Sequence, residues 1–512
     1  MNPVLTTDMS RALDQFTIRS GRITEVDLMR NAGRAVALEA SKMLGADTDA
    51  AILIVCGKGH NGGDGIATAG FLTQWGYSPD VQLLGKVEDM DETVNTTYQE
   101  AGIEATEDST ADGMDVNPYD LIIDALLGIG VEQPVRSPVA DWVKSINTFL
   151  GPVLAIDIPS GLITDTGEIA GSAIKADVTV TMGYPKLGLL INVGPDLAGR
   201  LVVADIGFES DFFQEMETGP TGLLDRTDFA GLFQPPARRT FKHRQGKTLV
   251  IAGSIGMTGA AVLTARATMA SGSGLTVAAC PASIQQQYVP TMPEVITLSM
   301  EDHGRGMFLP EHAAAIRESL EWCSAVVLGP GLSRSPQVKE FVRNIFEYLE
   351  TPTLLDADGL TPFNGNVDLL SSAEIPLVIT PHAKEFARLF DHDVEEVSAN
   401  PVKALSEVHA YFHHTVVLKG APTVTLFSTG EIIINSSGNS GLATAGSGDI
   451  LSGVIGTFLS QGYRADEAAC MGVWLHGYAG DLARRQYGAP GMTSLHLLEQ
   501  LPHALAEFDF PQ

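Results

Sequence analysis

Basic side chains are scarce in this sequence: 32 Lys and Arg stand against 62 Asp and Glu, a formal net charge of -30. Such a chain repels nucleic acid and anionic lipid unless a local basic patch reverses the field, so neither partner is expected, and solubility is the simple reading of the excess. Cysteine is scarcer still. Cys56, Cys280, Cys323 and Cys470 are scattered, without a CxxC spacing and mostly inside apolar runs. That argues against disulfides and a zinc site and for reduced thiols in a cytoplasmic protein. No uninterrupted apolar run approaches the roughly 18 residues of a membrane span. The opening "MNPVLTTDMSRALDQF" carries no apolar signal-peptide core, so neither secretion nor membrane spanning is expected.

Glycine is abundant instead, with 53 residues in a chain of 512 that is 44% hydrophobic. This is the composition of an α/β protein with many tight strand-to-helix turns, and the length suggests two large domains. The runs "AILIVC", "DVQLLG", "DLIIDALLG", "VLAIDIPSG", "ADVTVTMG" and "RLVVADIG" alternate with helical-length stretches, which predicts βαβ units and a mostly parallel sheet. Ahead of them, "ITEVDLMRNAGRAVALEASKML" has the apolar spacing of an amphipathic helix. A second series runs from "KTLVIAGS" to "EIIINSSGNSGLATAGSGDILSG" without repeating the motif order of the first. Between them, acidic, Gly and Pro-Pro elements mark a boundary, giving domains over 1–215 and 238–512 with 216–237 as linker.

The stretch "GKGHNGGDG", residues 57–65, follows an apolar run and reads either as a tight strand-to-helix turn or as a cradle. In the second reading its glycines allow positive φ, and a helix over "IATAGFLTQWG" offers its N-terminal amides to an anion. Other strand ends carry Asp124, Asp157, Ser160 and Lys186, and in a parallel sheet these gather on one edge, where ligands bind. Asn, Asp and Ser oxygens suit a monovalent or hard cation rather than zinc. A turn or helix cap is the plainer reading of Asp124 alone.

In this order, "DLMRNAGRAVA", "GKGHNGGDG", "DALLGIG", "AIDIPSG" and "GYPKLGLL" resemble the epimerase half of the bacterial NAD(P)H-hydrate repair enzymes, a Rossmann-like domain, over about residues 1–215. The resemblance implies that His60, Asn61, Gly62, Gly63 and Asp64, and Gly128, Ile129, Gly130, Val131, Glu132, Gln133 and Pro134, contact the hydrated dinucleotide. It implies that Asn61, Asp124 and Ser160 hold K+, and that Asp157 binds substrate and moves the proton beside Lys186. His60 stands where the family pattern often has Asn, and Arg30 where it has Glu.

The stretch "NSGLATAGSGDILSGV" is the sharper signal. Gly446 and Gly448 let a loop fold onto phosphate, and Asp449 stands where a helix with an apolar face begins. An Asp beside such an anion hole can take the proton of a hydroxyl that attacks a nucleotide phosphate, or can merely complement the helix dipole. The arrangement resembles the ribokinase-like superfamily, and "LGPGL", "LDADGL", "TPHAKEFARL" and "VVLKGAPTVT" are similar to the dehydratase half of the same repair enzymes over about 238–505. That implies an α/β/α sandwich in which Ala261, Gly331, His382 and Asp449 contact the dinucleotide, while Lys419, Gly420, Ala421, Pro422, Thr423 and Gly448 bind the adenine nucleotide. His382, after Pro381, also reads as a neighbour of a helix cap; Asp356 and Asp358 are unassigned.

The expected protein is therefore an enzyme with an N-terminal epimerase and a C-terminal ADP-dependent (S)-NAD(P)H-hydrate dehydratase, using ADP or ATP, Mg2+ and K+. It is expected to be a cytoplasmic homo-oligomer. The alternative is a ribokinase-like small-molecule kinase joined to a non-catalytic dinucleotide-binding domain.

Overall fold

The structure is a computed structural model and describes residues 1–214 and 221–509. Two compact units divide it: Pro3–Thr221, and Gly222–Gln512 together with Met1–Asn2. The boundary expected at 215 and 216 falls on residues outside those described, as do residues 510–512.

In the N-terminal unit six strands form one parallel sheet, in spatial order Asp80–Leu83, Ile52–Cys56, Leu121–Ala125, Val153–Ile156, Val178–Met182 and Arg200–Ala204. Its inner strands are near-continuous β-branched runs because both faces are covered. Along Ile52–Cys56 the alternation is visible. Ile52, Ile54 and Cys56 pack with the helices Glu25–Met43 and His60–Gln74, whereas Leu53 and Val55 pack with Trp142, Val143 and Ile146 from the helix Val139–Ile146. Glu25–Met43 starts on a capping box in which Thr24 and Asp27 satisfy each other's backbone amides, and Gly33 brings it close to its neighbour: a Cβ there would lie 2.4 Å from Ala67 Cβ.

The C-terminal unit is built on a larger sheet. From Thr221–Leu224 the order continues through Ile432–Asn435, Val424–Leu426, Thr415–Leu418, Leu377–Ile379, Thr353–Leu355, Ala325–Leu328, Lys247–Ile251, Leu275–Pro281 and Ile296–Met300. Val424–Leu426 runs antiparallel to its neighbours, as the return strand after Thr415–Leu418. Val250, Val327, Leu354, Val378 and Val417 share one face and one core with the helices Thr258–Ala270, Ser447–Ser460 and Ala465–Tyr487. All four cysteines are free and buried. Among the described residues no helix is long and apolar enough to cross a membrane.

The expected linker 216–237 is a linker in name only over residues 221–232. Thr221–Leu224 pairs parallel to Ile432–Asn435, with Leu223 opposite Ile434, and Asp225 caps the helix Arg226–Leu232 through the amides of Thr227 and Asp228. Phe229 from that helix is fully buried, its ring stacked 4.8 Å from Trp474 and packed against Phe508. A four-residue strand holding a glycine gives too little period to be read as a strand. Phe229→Ala is expected to lower the stability of the C-terminal unit by about 3–5 kcal/mol, the range for deleting a buried ring. Denaturant unfolding followed by tryptophan fluorescence measures it, and a free linker would instead show a change within about 0.5 kcal/mol.

Candidate active sites

Strand direction brings the N-terminal unit's polar strand ends to one edge, and a cleft of about 620 Å³ opens there, lined by Asp14, His60, Asn61, Asp64, Asp157 and Lys186 among apolar neighbours. The glycine-rich stretch does not form the loop expected. Its helix begins at His60 rather than at Ile66, and Gly57, Gly59, Gly62, Gly63 and Gly65 are absent from the positions with positive φ. These glycines serve close packing instead: a Cβ on Gly62 would lie 1.7 Å from Gly57 O, one on Gly57 2.1 Å from Leu126 O, and one on Gly63 2.5 Å from Met29 Sδ. Thus His60, Asn61 and Asp64 face the cleft while Gly62 and Gly63 are buried against the unit's interior. From the second expected stretch, Gly128, Ile129 and Gly130 line the cleft; Val131, Glu132, Gln133 and Pro134 are not among its lining residues.

Behind the cleft floor lies a cluster of oxygens. The fully buried Asp124 carboxylate accepts from Ser160 Oγ (2.6 Å), Ser160 N (2.8 Å) and Leu126 N (3.2 Å). Ser160 Oγ accepts in turn from Leu127 N at 2.8 Å, and Asn61 Nδ2 donates to Leu127 O at 2.9 Å. Burial pushes the Asp124 carboxyl up to about 6, against the hydrogen bonds from Ser160 and Leu126. One carboxylate among neutral oxygens fits a monovalent hard cation, and nitrogen and sulfur donors are missing. Among the described residues no group of three or more His, Cys, Asp or Glu side chains could hold a metal ion.

Asp157 follows the strand Val153–Ile156 with φ +62, a conformation uncommon for a residue with a Cβ. Its Oδ1 accepts from Lys186 Nζ, from Met182 N at 3.0 Å and from Thr181 Oγ1 at 3.2 Å. Lys186 is 3% exposed and also donates to Met182 O (2.9 Å) and Thr181 Oγ1 (3.1 Å), so its ammonium is fixed rather than solvated. Two more carboxyls face this pair. Burial, with Asp157 adding to it, pushes Asp64 well above the usual carboxylate range. Asp14, on the helix Thr7–Arg19, played no part in the sequence reading. His60 lies at the rim, its Nε2 3.0 Å from Asp91 Oδ2 and 3.6 Å from Glu25 Oε1.

In the C-terminal unit Gly446, at φ +87, precedes the helix Ser447–Ser460, and Asp449 sits half-buried in its first turn. His476 fixes this turn through Ser447, its Nε2 3.1 Å from Ser447 Oγ and 3.0 Å from Ser447 O. A Cβ on Gly448 would point at Lys419 Nζ, 3.7 Å away, so amides and ammonium share one concavity. Lys419 ends the strand Thr415–Leu418, and Gly420, Ala421, Pro422 and Thr423 form the turn to Val424–Leu426. The sequence reading left Asp356 unassigned, yet it organises the site: buried at 1% exposure, it accepts from Lys419 Nζ at 2.6 Å and Ser452 Oγ at 2.7 Å. Asp358 is held by Ser333 N (2.9 Å) and Arg334 Nε (3.0 Å). Burial, then the Asp356 charge, pushes Asp449 up to about 6, with Lys419 opposing.

Of the other expected contacts, Ala261 is buried on the helix Thr258–Ala270, and Gly331, at φ +63, accepts from Ser254 Oγ through its carbonyl at 2.8 Å. His382 is the cap of the helix Ala383–Phe390 itself, its Nδ1 accepting from Lys384 N (3.1 Å) and Glu385 N (3.3 Å), and its backbone pairs beside Lys419. The ring still reaches solvent, with burial holding its pKa below the usual histidine value.

These features define a two-unit α/β protein, with an oxygen-lined cleft at the edge of one sheet and a glycine-led helix start beside a lysine ammonium at the edge of the other. Residues 25–188 match the family model described as YjeF-related protein N-terminus, and 248–503 that described as NAD(P)H-hydrate dehydratase. Proteins named bifunctional NAD(P)H-hydrate repair enzyme Nnr are similar over nearly the whole chain. The one from Thermofilum pendens is 36% identical, covering 97% of this chain and 94% of its own, and that from Moorella thermoacetica 34% identical, covering 97% and 95%. The ADP/ATP-dependent NAD(P)H-hydrate dehydratase of Bacillus subtilis, solved with ATP/Mg2+, is 27% identical with a TM-score of 0.50 over 56% of this chain and 99% of its own. A ribokinase-like superfamily protein from Enterococcus faecalis shares the fold at 23% identity and TM-score 0.50, covering 57% and 97%. The chain belongs to the family of bifunctional NAD(P)H-hydrate repair enzymes.

Removing one partner of a buried ion pair strands the other charge, a loss of about 3–5 kcal/mol. Lys419→Met is expected to destabilise the C-terminal unit by that order, and the double substitution with Asp356→Leu to recover part of the loss. Denaturant unfolding of both variants checks the coupling; additive losses would mean that the two side chains do not act as a pair.

Proposed function

We propose that the N-terminal unit interconverts the R and S forms of hydrated NADH or NADPH at C6 and that the C-terminal unit dehydrates the S form at the expense of ADP or ATP. The observation that carries this reading is Asp449 in the first turn of Ser447–Ser460, without a hydrogen bond to its carboxyl and beside the Lys419 ammonium. There it takes the proton of the C6 hydroxyl as that oxygen attacks the terminal phosphorus of the nucleotide. The phosphorus–oxygen bond to the remainder of the nucleotide breaks and its electron pair leaves with AMP when ADP is used. Phosphate then departs with the carbon–oxygen pair, pushed by the ring nitrogen lone pair, and loss of the C5 proton restores the ring double bond. Water is a poor leaving group and phosphate a good one, which is why a kinase-like site serves a dehydration.

Each residue has a part in this reading. Lys419 and the helix N-terminal amides balance charge on the phosphates, Gly448 leaves room for them, and Gly420, Ala421, Pro422 and Thr423 seat the nucleotide. Ala261, Gly331 and His382 seat the dinucleotide beside Asp449. Asp356 is committed to Lys419 and Ser452 and Asp358 to Arg334 and Ser333, so Mg2+ would be held chiefly by the nucleotide phosphates, whose charge it would neutralise. In the N-terminal cleft Asp157 moves the substrate proton while Lys186 holds its carboxyl in place. His60, Asn61, Asp64 and Gly128–Gly130 would line the dinucleotide site, and Asn61, Asp124 and Ser160 with Leu127 O would hold K+, which supplies positive charge near the substrate when bound. Four buried, reduced cysteines support a cytoplasmic setting.

Purified protein given mixed R and S NADH hydrate, ADP, Mg2+ and K+ should restore the near-ultraviolet absorbance of NADH completely. Recovery that stops when the S form is consumed would refute the epimerase; no recovery, with a stable phosphorylated product, would favour a small-molecule kinase. The Asp449 base works ionised, and its carboxyl is raised to about 6. Dehydratase kcat/KM is therefore expected to be full above that pH and to fall about tenfold per unit as pH drops below it. A rate independent of pH down to the ordinary aspartate range would assign the base elsewhere.

A further inference from the structure

We propose that Asp14 is a catalytic residue of the N-terminal cleft, the proton-holding partner of Asp157, resting on the reading of that cleft as the epimerase site. Asp14 lines the same cleft as Asp157 and Lys186 but comes from a separate element, the helix Thr7–Arg19. The two carboxyls have contrasting surroundings. Asp157 Oδ1 accepts from an ammonium, an amide and a hydroxyl, so its side chain is held on three donors. Asp14 accepts no hydrogen bond that would favour its charge, and its neighbours along the cleft include Ile18, Leu28 and Met29. Burial pushes it up to about 6, with Asp157 and Glu25 adding and Lys186 and His60 opposing; Asp64 faces it with a further carboxyl, and Arg11 lines the same wall. Two carboxyls on one cleft, one held by three donors and the other lying among apolar neighbours without a donor, are arranged as a base and an acid.

The pair completes an epimerisation that consumes nothing. Asp157 takes the proton of the C6 hydroxyl. The C6–O bond becomes a carbonyl as the C6–N1 bond breaks, its electron pair goes to N1, and N1 takes the proton of Asp14. Rotation about the C5–C6 bond turns the other face of the aldehyde towards N1. The reverse steps close the ring with inverted C6, return the proton to Asp14 and leave Asp157 ionised. No water is expelled, so the poor leaving group that makes the second unit need a nucleotide is never called on here.

The test measures R and S interconversion by NMR on the full chain with K+ and without nucleotide, for the wild type, Asp14→Asn and Asp14→Glu. The amide holds a similar shape but gives up no proton, so kcat should fall about 10²–10⁴-fold, the usual worth of a general acid, while KM moves little. Wild-type kcat should fall as pH rises above the value at which Asp14 deprotonates; Asp14→Asn should lose this limb, and Asp14→Glu should restore part of rate and limb. Dehydration of the S form with ADP, which uses the other unit, should be unchanged in both variants and reports an intact chain. Asp14→Asn with wild-type kcat and pH profile overturns the proposal, as does a wild-type rate that does not fall between about pH 5 and 9, which decides the matter even where the variants misfold. A wild type that does not interconvert the isomers removes the epimerase reading itself.

Discussion

A lysine ammonium held against an aspartate at the carboxyl edge of a parallel sheet sets the charge at each site. In the N-terminal unit it is Lys186 on Asp157, from adjacent strands; in the C-terminal unit it is Lys419 on Asp356, from strands one apart with His382 at the end of the strand between. Taking two charges out of water is costly, and such a pair adds little net stability. What it gives is position. Each ammonium is anchored by a carboxylate on one side, and so it keeps a fixed place for the negative groups that gather around it.

Those neighbours differ, and with them the chemistry. Around Lys186 stand Asp14 and Asp64, both pushed towards their protonated forms by burial, beside an Asp157 carboxyl held by three donors. Around Lys419 stand the amides of Ser447–Ser460 and Asp449, with Asp356 neutralising part of the lysine charge. On the proposed reading an arriving phosphate would meet donors already aimed at it, and charge that develops during transfer would need no rearrangement of the site. The proposed proton-moving cleft and the proposed anion hole thus share one device at the carboxyl edge of a sheet.

How much of this was readable depends on the distance over which each feature is encoded. Asp157 and Lys419 follow apolar runs directly, Lys186 comes a few residues after one, Asp449 opens a helix behind a glycine-rich loop, and topology alone brings strand ends together. Asp14 was not legible, because nothing local distinguishes a helical Asp from a solvated one when its partners lie more than a hundred residues on. Asp356 lay in plain view in "LDADGL", but its ion pair with Lys419 joins residues 63 apart. The glycines of "GKGHNGGDG" allow positive φ, but the structure uses them to let a helix start pressed against neighbouring strand ends. For 221–232, Asp225 and Asp228 were a capping signal that acidic and Pro-Pro surroundings hid.

The central claim is that two independent sites act on one damaged cofactor. Asp449→Asn tests it most directly, supplied with pure S hydrate, ADP, Mg2+ and K+ while NADH absorbance and isomer composition are followed together. The account predicts that no NADH returns, with dehydration down by at least about 10²-fold, while the R isomer accumulates at the wild-type rate. A folded Asp449→Asn protein in which isomer interconversion is lost with dehydration would contradict it.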